Sequence, residues 1–410
     1  MTESVAELRA RAREWLAAHV PRSAPSEPLQ LWDDEGVARD REIAASLWDG
    51  RLAGILVPVE YGGLGLTEAH LRAFRQEAAG YRMPEAYGIG LNVVLPTLLA
   101  HGTEEIKQRF VPAMLRGEHI WCQLLSEPSS GSDLAGLLTR ASRDGDTWRI
   151  NGSKVWTTGG HYSDWAMCLA RTDPDVPKHA GLTVFLFPMD SPGLTVEPIV
   201  LLDGNVDFCE ERLDDVLAEA DLVLGEVNGG WAVMGSMMEA ERGAIGRGWA
   251  MAAQPGEGGE HGISLDRELL DLALTAGGEA GLDAHTRDLI GERWVLSAVH
   301  SLTTQRVTSA VADRELPGAA AALLKAMAAM VELREGEIGL AVAGAGGVAW
   351  PSGDPSFAGQ HRLSSHGIGG GTTEMQRNAV AERLLGLPRE PAVDRDTPFS
   401  QLRKNTVPRA

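Results

Sequence analysis

Cysteine, tyrosine and positive charge are all in short supply in this chain. Its three cysteines, Cys122, Cys168 and Cys209, form no CxxC pair, so neither a disulfide framework nor a zinc site is expected. Acidic residues outnumber basic ones by 57 to 37, a formal net charge of -20. Nucleic acid is therefore not an expected partner, because phosphate binding needs concentrated Lys and Arg. A local group of backbone N–H donors could still hold an anion. No apolar run is long enough to span a bilayer, so no membrane is expected either. The opening residues, Met1 to Glu7, carry acids where a secretory signal would carry a basic stretch, and a cytoplasmic protein is the expectation. Hydrophobic residues make up 44% of the 410 residues and charged residues 23%. That is an ordinary globular balance, with length enough for two or three domains and a sizeable core.

The order of elements follows from changes in hydrophobic period. Residues 1–120 read as helical. Thr103 precedes Glu104 and Glu105, and Ile106, Phe110, Val111 and Met114 then recur at helical spacing, which predicts an N-cap, acids in the first turn and one apolar face. The period shortens over 121–222. Asn151-Gly152, between Trp148-Arg149-Ile150 and Ser153-Lys154-Val155-Trp156, predicts a hairpin turn, and Gly181 to Phe187 predicts a strand closed by Asp190-Ser191-Pro192-Gly193. From Trp231 the chain is helical again, with Met234, Met237, Met238, Glu241 and Ile245 near one face. A Gly- and acid-rich insert, Gln254 to Gly262, predicts a surface loop. Long helices are predicted near Arg287 to Ala312 and Ala319 to Val342. The expected fold is α+β: an N-terminal helical domain (1–120), a middle β domain (121–222), a C-terminal helical bundle (223–390) and a tail (391–410).

Three segments carry candidate chemistry. Ser126-Glu127-Pro128-Ser129-Ser130-Gly131-Ser132-Asp133 is a rigid turn whose N–H and hydroxyl groups can face a ligand. Asn151 to Gly160 sets an indole, Trp156, beside the hydroxyls of Thr157 and Thr158, an arrangement that can pack on a flat ring and bond its edge. Gly369-Gly370-Gly371-Thr372-Thr373-Glu374-Met375-Gln376-Arg377 lets backbone approach a ligand closely. There Thr373 with Gln376 predicts a capping box at a helix start, and Gly386 and Pro388 predict its end. Taken alone, the first reads better as an ordinary polar loop and the second as a core tryptophan with surface threonines, while the third reads as a flexible loop about one time in three.

Together, in this order and spacing, they resemble the acyl-CoA dehydrogenase family. The resemblance runs over nearly the whole chain. It takes in Val57-Pro58 with Tyr61-Gly62-Gly63, Arg171-Thr172-Asp173, Pro177-Lys178-His179, Leu224-Gly225-Glu226 with Gly229-Gly230-Trp231, and Ala381-Glu382-Arg383. Gly370 to Glu374 and Leu387-Pro388-Arg389 resemble actinobacterial branches. The resemblance implies bound FAD, an acyl-CoA substrate, an electron-transfer flavoprotein as acceptor, and a homo- or hetero-oligomer. It implies that Gln123, Leu125, Ser126, Gly131 and Ser132 line the cofactor, with Ser126 at the pyrimidine edge and Ser132 near the pyrophosphate and CoA. Trp156, Thr157 and Thr158 match the segment that packs on the isoalloxazine and bonds near N5, and Thr372 and Glu374 match later flavin contacts. Gly370, Gly371 and Arg242 match positions beside the substrate.

Two departures from the family pattern stand out. Many members carry the catalytic base just before the Gly-Thr pair of the C-terminal loop, and that position is Gly370 here. Other branches place it on the helix after the β domain, directly before the substrate arginine. In this chain that residue is Glu241, the expected base, with Glu239 a weaker candidate. The Arg-x-x-Phe-Gly segment that reaches FAD in a neighbouring subunit is not found between Leu269 and Arg293, and Ala341 stands where a Gln is usual. Arg287, Arg293 or Arg306 could substitute. The alternatives are a non-catalytic or half-catalytic subunit of a heteromeric dehydrogenase, and a flavin oxidase or monooxygenase on the same fold.

Overall fold

The computed structural model describes residues 3–22, 33–201, 206–246, 267–277, 281–344, 367–389, 391–392 and 394–402. The N-terminal region contains α1 (Val5–His19), α2 (Asp34–Asp49), α3 (Glu68–Ala78), α4 (Leu95–His101) and α5 (Glu104–Leu115). Thr103 caps α5 as expected: its hydroxyl accepts from the Ile106 N–H at 3.3 Å. Ile106, Phe110, Val111 and Met114 are all buried. The Tyr61-Gly62-Gly63 turn is a packing device. A Cβ on Gly63 would stand 2.1 Å from the Val57 carbonyl oxygen, so only glycine lets the two backbones meet.

The middle region is a single sheet built from β1 (Trp121–Leu124), β2 (Arg140–Asp144), β3 (Thr147–Thr158), β4 (Trp165–Arg171), β5 (Leu182–Pro188), β6 (Leu194–Ile199), β7 (Phe208–Glu219) and β8 (Val223–Leu224). Their order is β6-β7-β3-β2-β4-β5-β8, with β1 pairing parallel to β4. β4 and β5 are buried on both faces, which explains their near-continuous apolar sequence. On one face Met167, Leu169, Val184 and Leu186 join the helical core through Phe110 and Trp121. On the other, Cys168, Phe185 and Phe187 pack with Trp148, Ile150 and Val216.

The expected hairpin at Asn151-Gly152 is not a turn. Strand β3 runs through it, with a register shift between Ile150 and Gly152. The chain reverses instead at Gly145-Asp146, where Gly145 has φ of 60°. Gly152 meets a different demand: a Cβ there would lie 2.7 Å from the Thr139 Cα. Asn-Gly thus marks a close strand approach and a bulge, which glycine also serves.

After the sheet come α6 (Gly230–Gly246), α7 (Arg267–Gly277), α8 (Ala284–Ala312), α9 (Ala321–Ala343) and α10 (Thr373–Ala379). Helix α6 packs on α4, on β5 and on α9, so it lies where all three regions meet. The expected Gln254–Gly262 loop falls outside the described residues. Residues 394–402 return to the sheet. Phe399 is buried beneath the Arg171 guanidinium, 3.5 Å from the ring centre, and its N–H donates to the Val176 carbonyl at 2.9 Å. No described helix is long and apolar enough to cross a membrane.

Candidate active site

Two of the three candidate segments meet at the end of β1. The Val155 N–H donates to the Ser126 carbonyl at 2.9 Å, and the Lys154 ammonium donates to the Leu125 carbonyl at 2.9 Å. Leu125 and Ser126 are thereby set beside Trp156, Thr157 and Thr158. A second register shift in β3, between Val155 and Thr157, makes Trp156 an extra residue in the strand. Its φ is 66°, a left-handed conformation that costs a bulky residue about 1–3 kcal/mol. Trp156 is 56% exposed, with the edge of Phe208 against its ring at 6.0 Å between ring centres. Gln123, half-buried on β1, has its Oε1 atom shielded from solvent with no hydrogen-bond partner among the described residues. Gly131 and Ser132 are exposed at the rim of the loop. The adjoining Asp133 is held by Lys178, which also bonds Asp394 at 2.8 Å.

The extra residue also reverses parity. Side chains three apart in a strand normally point to opposite faces, yet Lys154 and Thr157 are both buried beneath the bulge. Lys154 is fully buried, 3.1 Å from Glu127 Oε1. The same carboxylate accepts from the Leu138 and Thr139 N–H groups at 2.6 and 2.8 Å. Burial pushes the Glu127 pKa up, but Lys154 and these donors outweigh it and hold the carboxyl below its usual value. Glu211 on β7, also fully buried, accepts from the Thr157 hydroxyl at 2.7 Å. Burial pushes its carboxyl up to about 7, against the opposing effects of Thr157 and Lys154. All three cysteines are buried, and burial raises each thiol. They act as small core residues rather than nucleophiles.

The third segment forms its own unit. The N-cap of α10 is Thr372, whose hydroxyl accepts from the Met375 N–H at 3.3 Å, so the expected Thr373–Gln376 capping box is displaced by one residue. Gln376 instead donates its side-chain amide to the Gly370 and Gly371 carbonyls at 2.9 and 3.2 Å. These glycines have φ of 66° and 87°, which turns both carbonyls toward the amide. Thr372 is half-buried and Glu374 exposed. Helix α10 packs on α9, and no hydrogen bond or ion pair joins Thr372 or Glu374 to Trp156, Thr157 or Thr158. The structure therefore groups the β1 and β3 residues together and leaves the C-terminal loop as a separate wall.

Helix α6 carries Glu241, half-buried. The Arg242 side chain lies outside the described residues. Glu239 is exposed and turned toward Gly318, where a Cβ would stand 2.0 Å from its Oε1, so it serves the turn before α9. His101 and Ser236 bond at 2.8 Å across α4 and α6. On α9, Lys325 is 2% exposed. Burial holds its amine below its usual value, while the carboxylates of Glu332 and Glu241 act in the opposite sense. Lys325 was missed in the sequence, although a lone lysine inside Ala321-Ala322-Leu323-Leu324-Lys325-Ala326-Met327-Ala328 is a legible signal: such a charge is retained only with a partner.

Three family models match this chain: the acyl-CoA dehydrogenase N-terminal domain over residues 2–118, the middle domain over 122–216 and the C-terminal domain over 228–385. The acyl-CoA dehydrogenase IpdE1 of Mycobacterium tuberculosis is 36% identical over 402 residues, covering 95% of this chain and 99% of that protein. The chain belongs to the acyl-CoA dehydrogenase family. Members of the family are FAD-binding flavoproteins. Among solved acyl-CoA dehydrogenases, the Tcur3481-Tcur3483 steroid enzyme superimposes with a TM-score of 0.73 at 29% identity, over 94% of this chain and 98% of that one. The ChsE4-ChsE5 complex from Mycobacterium tuberculosis gives 0.71 at 24% identity, over 95% and 99%, a likeness of fold alone. The residues present fit the acyl-CoA dehydrogenase cofactor. An outward indole held in a costly conformation offers the flat apolar face that a flavin ring requires, and Gln123 on β1 keeps an oxygen without a partner among the described residues.

Proposed function

We propose that this acyl-CoA dehydrogenase oxidises the Cα–Cβ bond of an acyl-CoA thioester with Glu241 as the base. FAD, when bound, supplies the hydride acceptor for Cβ. Glu241 takes the Cα proton, and the backbone N–H groups of Gly370 and Gly371 stabilise the thioester oxygen. Trp156 packs on the isoalloxazine, Thr158 bonds near N5, and Gln123, Leu125, Ser126 and Thr157 line the ring. Gly131 and Ser132 take the pyrophosphate and CoA side, Thr372 and Glu374 the far wall, and Arg242 the substrate. The observation that carries this reading is the position of Glu241: half-buried on α6, under the influence of the buried Lys325. An electron-transfer flavoprotein is the proposed acceptor.

Lys325→Met removes the buried cation on which Glu241 acts and is expected to move the acid limb of flavin reduction toward higher pH. A pH profile of single-turnover reduction with an unmoved acid limb would detach Lys325 from the base. Trp156→Ala is expected to weaken FAD retention by about tenfold or more, since a ring stacked on a protein aromatic is worth about 1–3 kcal/mol. Equal FAD content in the two purified proteins would refute the packing role.

A second reading concerns assembly. Val295, Val299 and Leu302 are exposed and lie along one side of α8 at i, i+4 and i+7. We infer that a second chain covers this stripe. The related Tcur3481-Tcur3483 steroid enzyme is named by two components, so the second chain here is either another copy or a homologue that supplies the contacts to the FAD adenosine. The chain purified alone, anaerobic and mixed with straight-chain, branched and steroid-derived acyl-CoA thioesters, distinguishes these. A yellow protein bleached by one thioester is self-sufficient. A colourless one needs a partner. Rapid reoxidation by oxygen would instead indicate an oxidase.

A further inference from the structure

Glu211 is a buried carboxyl that the dehydrogenation chemistry does not use. It is fully buried on β7, and one oxygen accepts from the Thr157 hydroxyl at 2.7 Å. The other, Oε1, is shielded from solvent and has no hydrogen-bond partner among the described residues. Gly160 passes so close that a Cβ there would meet Oε1 at 2.5 Å. In register, Glu211 stands opposite Lys154, and Cys209 opposite Thr157. Trp156 is the residue with no partner between them. Among the described residues, the side-chain hydrogen bond that fastens the inner side of this bulge to β7 is Thr157 to Glu211.

We propose that Glu211 is a positioning residue for the flavin face, holding Thr157 so that the bulge presents Trp156 outward, and that its protonation state sets how firmly the bulge is held. The inference rests on the reading of Trp156 as a flavin-packing residue. A neutral carboxyl can accept from Thr157 and still place a proton on Oε1. An ionised one leaves an uncompensated charge, because the Lys154 ammonium is already committed to Glu127 and the Leu125 carbonyl. The charged and titratable groups facing Glu211 are Lys154 from β3, Cys122 from β1, Cys168 from β4, and Glu210 and Cys209 on its own strand. Burial opposes the anion; Lys154 and the hydrogen bond from Thr157 favour it. Glu210 opposes it, and the three thiols stay neutral across the working range. Because burial outweighs the influences that favour the anion, loss of the Glu211 proton is expected to draw the carboxylate toward water, loosening the Trp156 conformation and weakening flavin packing.

The test uses 5-fluorotryptophan-labelled protein, with any partner chain that co-purifies, and the Trp156 resonance assigned by its absence in Trp156→Phe. In the flavin-free wild type this resonance is expected to titrate near neutral pH. In Glu211→Gln it is expected to be flat. In Thr157→Val, which removes only the donor hydroxyl, it is expected to be displaced at every pH. FAD titrated into the stripped proteins should bind about tenfold more weakly to Thr157→Val than to wild type. Wild-type affinity should fall between about pH 5.5 and 8.5, and that of Glu211→Gln should hold level. A pH-independent Trp156 resonance, unmoved in Thr157→Val and with unchanged FAD affinity, would overturn the proposal. If the resonance responds as expected but Trp156→Ala binds FAD as tightly as wild type, the flavin reading of Trp156 is what fails. Glu211 then shapes a bulge with no flavin role, and the proposal falls with it.

Discussion

Glu241→Gln is expected to retain FAD and to lose reduction of that flavin by acyl-CoA. The substitution keeps the shape and hydrogen-bonding reach of the side chain and removes only its capacity to take a proton. General-base catalysis contributes about 10²–10⁴-fold, and a drop of that size in the anaerobic bleaching rate is the expected result. Glu239→Gln is the matched control. That carboxylate is exposed and turned toward Gly318, away from α6's buried side, and its loss should leave the rate within about twofold, a change of less than half a kcal/mol in barrier. Reduction at full speed in Glu241→Gln would move the base elsewhere. With glycine at position 370, no carboxylate stands at the usual alternative position.

Lys154→Met is expected to cost about 3–5 kcal/mol of folding stability, because it leaves the Glu127 carboxylate buried without its cation. Both side chains are essentially removed from water, 3.1 Å apart, so solvent cannot relieve the stranded charge. The pH dependence should invert. In wild type the Glu127 carboxyl lies below its ordinary value, so its contribution is present above the unfolded pKa and is lost as pH falls through the folded one. Without Lys154, burial becomes the larger influence and the carboxyl rises. The penalty is then present above the unfolded pKa and is relieved as pH falls. Denaturant titrations at about pH 5 and 8 read this directly: both lie above the ordinary carboxyl value of 4.5, so wild type is level in this group between them, whereas Lys154→Met gains stability toward low pH. The double variant Glu127→Gln/Lys154→Met strands no charge and should recover part of the loss. A single variant as stable as wild type at both pH values would refute the assignment. The same substitution removes the Lys154 bond to the Leu125 carbonyl, so FAD retention should fall together with stability.

Much of this molecule was legible in its sequence because the signals are local. Thr103 with the acids after it and the apolar face beyond made α5, and the double-faced apolar runs made β4 and β5. Misreadings arose where one residue type serves two purposes. Asn151-Gly152 has the composition of a tight turn, but glycine was needed there for the approach of Thr139, and the strand continued. At the C-terminal loop the cap fell on Thr372 rather than Thr373, because Gln376 was drawn back to the carbonyls of two left-handed glycines. Candidate flavin-lining positions were recognisable as motifs, yet nothing in them announced what lies beneath. Glu211 sits in an acid-rich stretch that reads as a solvated strand, Glu210-Glu211-Arg212, and its burial follows from pairing with a strand more than fifty residues earlier.

Chain order, domain class, helix caps, apolar faces and the family motifs were determined by the sequence itself, since each depends on neighbours within a few residues, where spacing translates directly into geometry. The bulge at Trp156, the burial of Lys154, Glu127 and Glu211 beneath it, and the approach of Lys325 to Glu241 were decided only by tertiary structure. They depend on which strands and helices come to lie side by side. One inserted residue in β3 exchanges inside for outside for everything after it, and a burial pattern read along the strand alone has no means of knowing where its partner requires that extra residue.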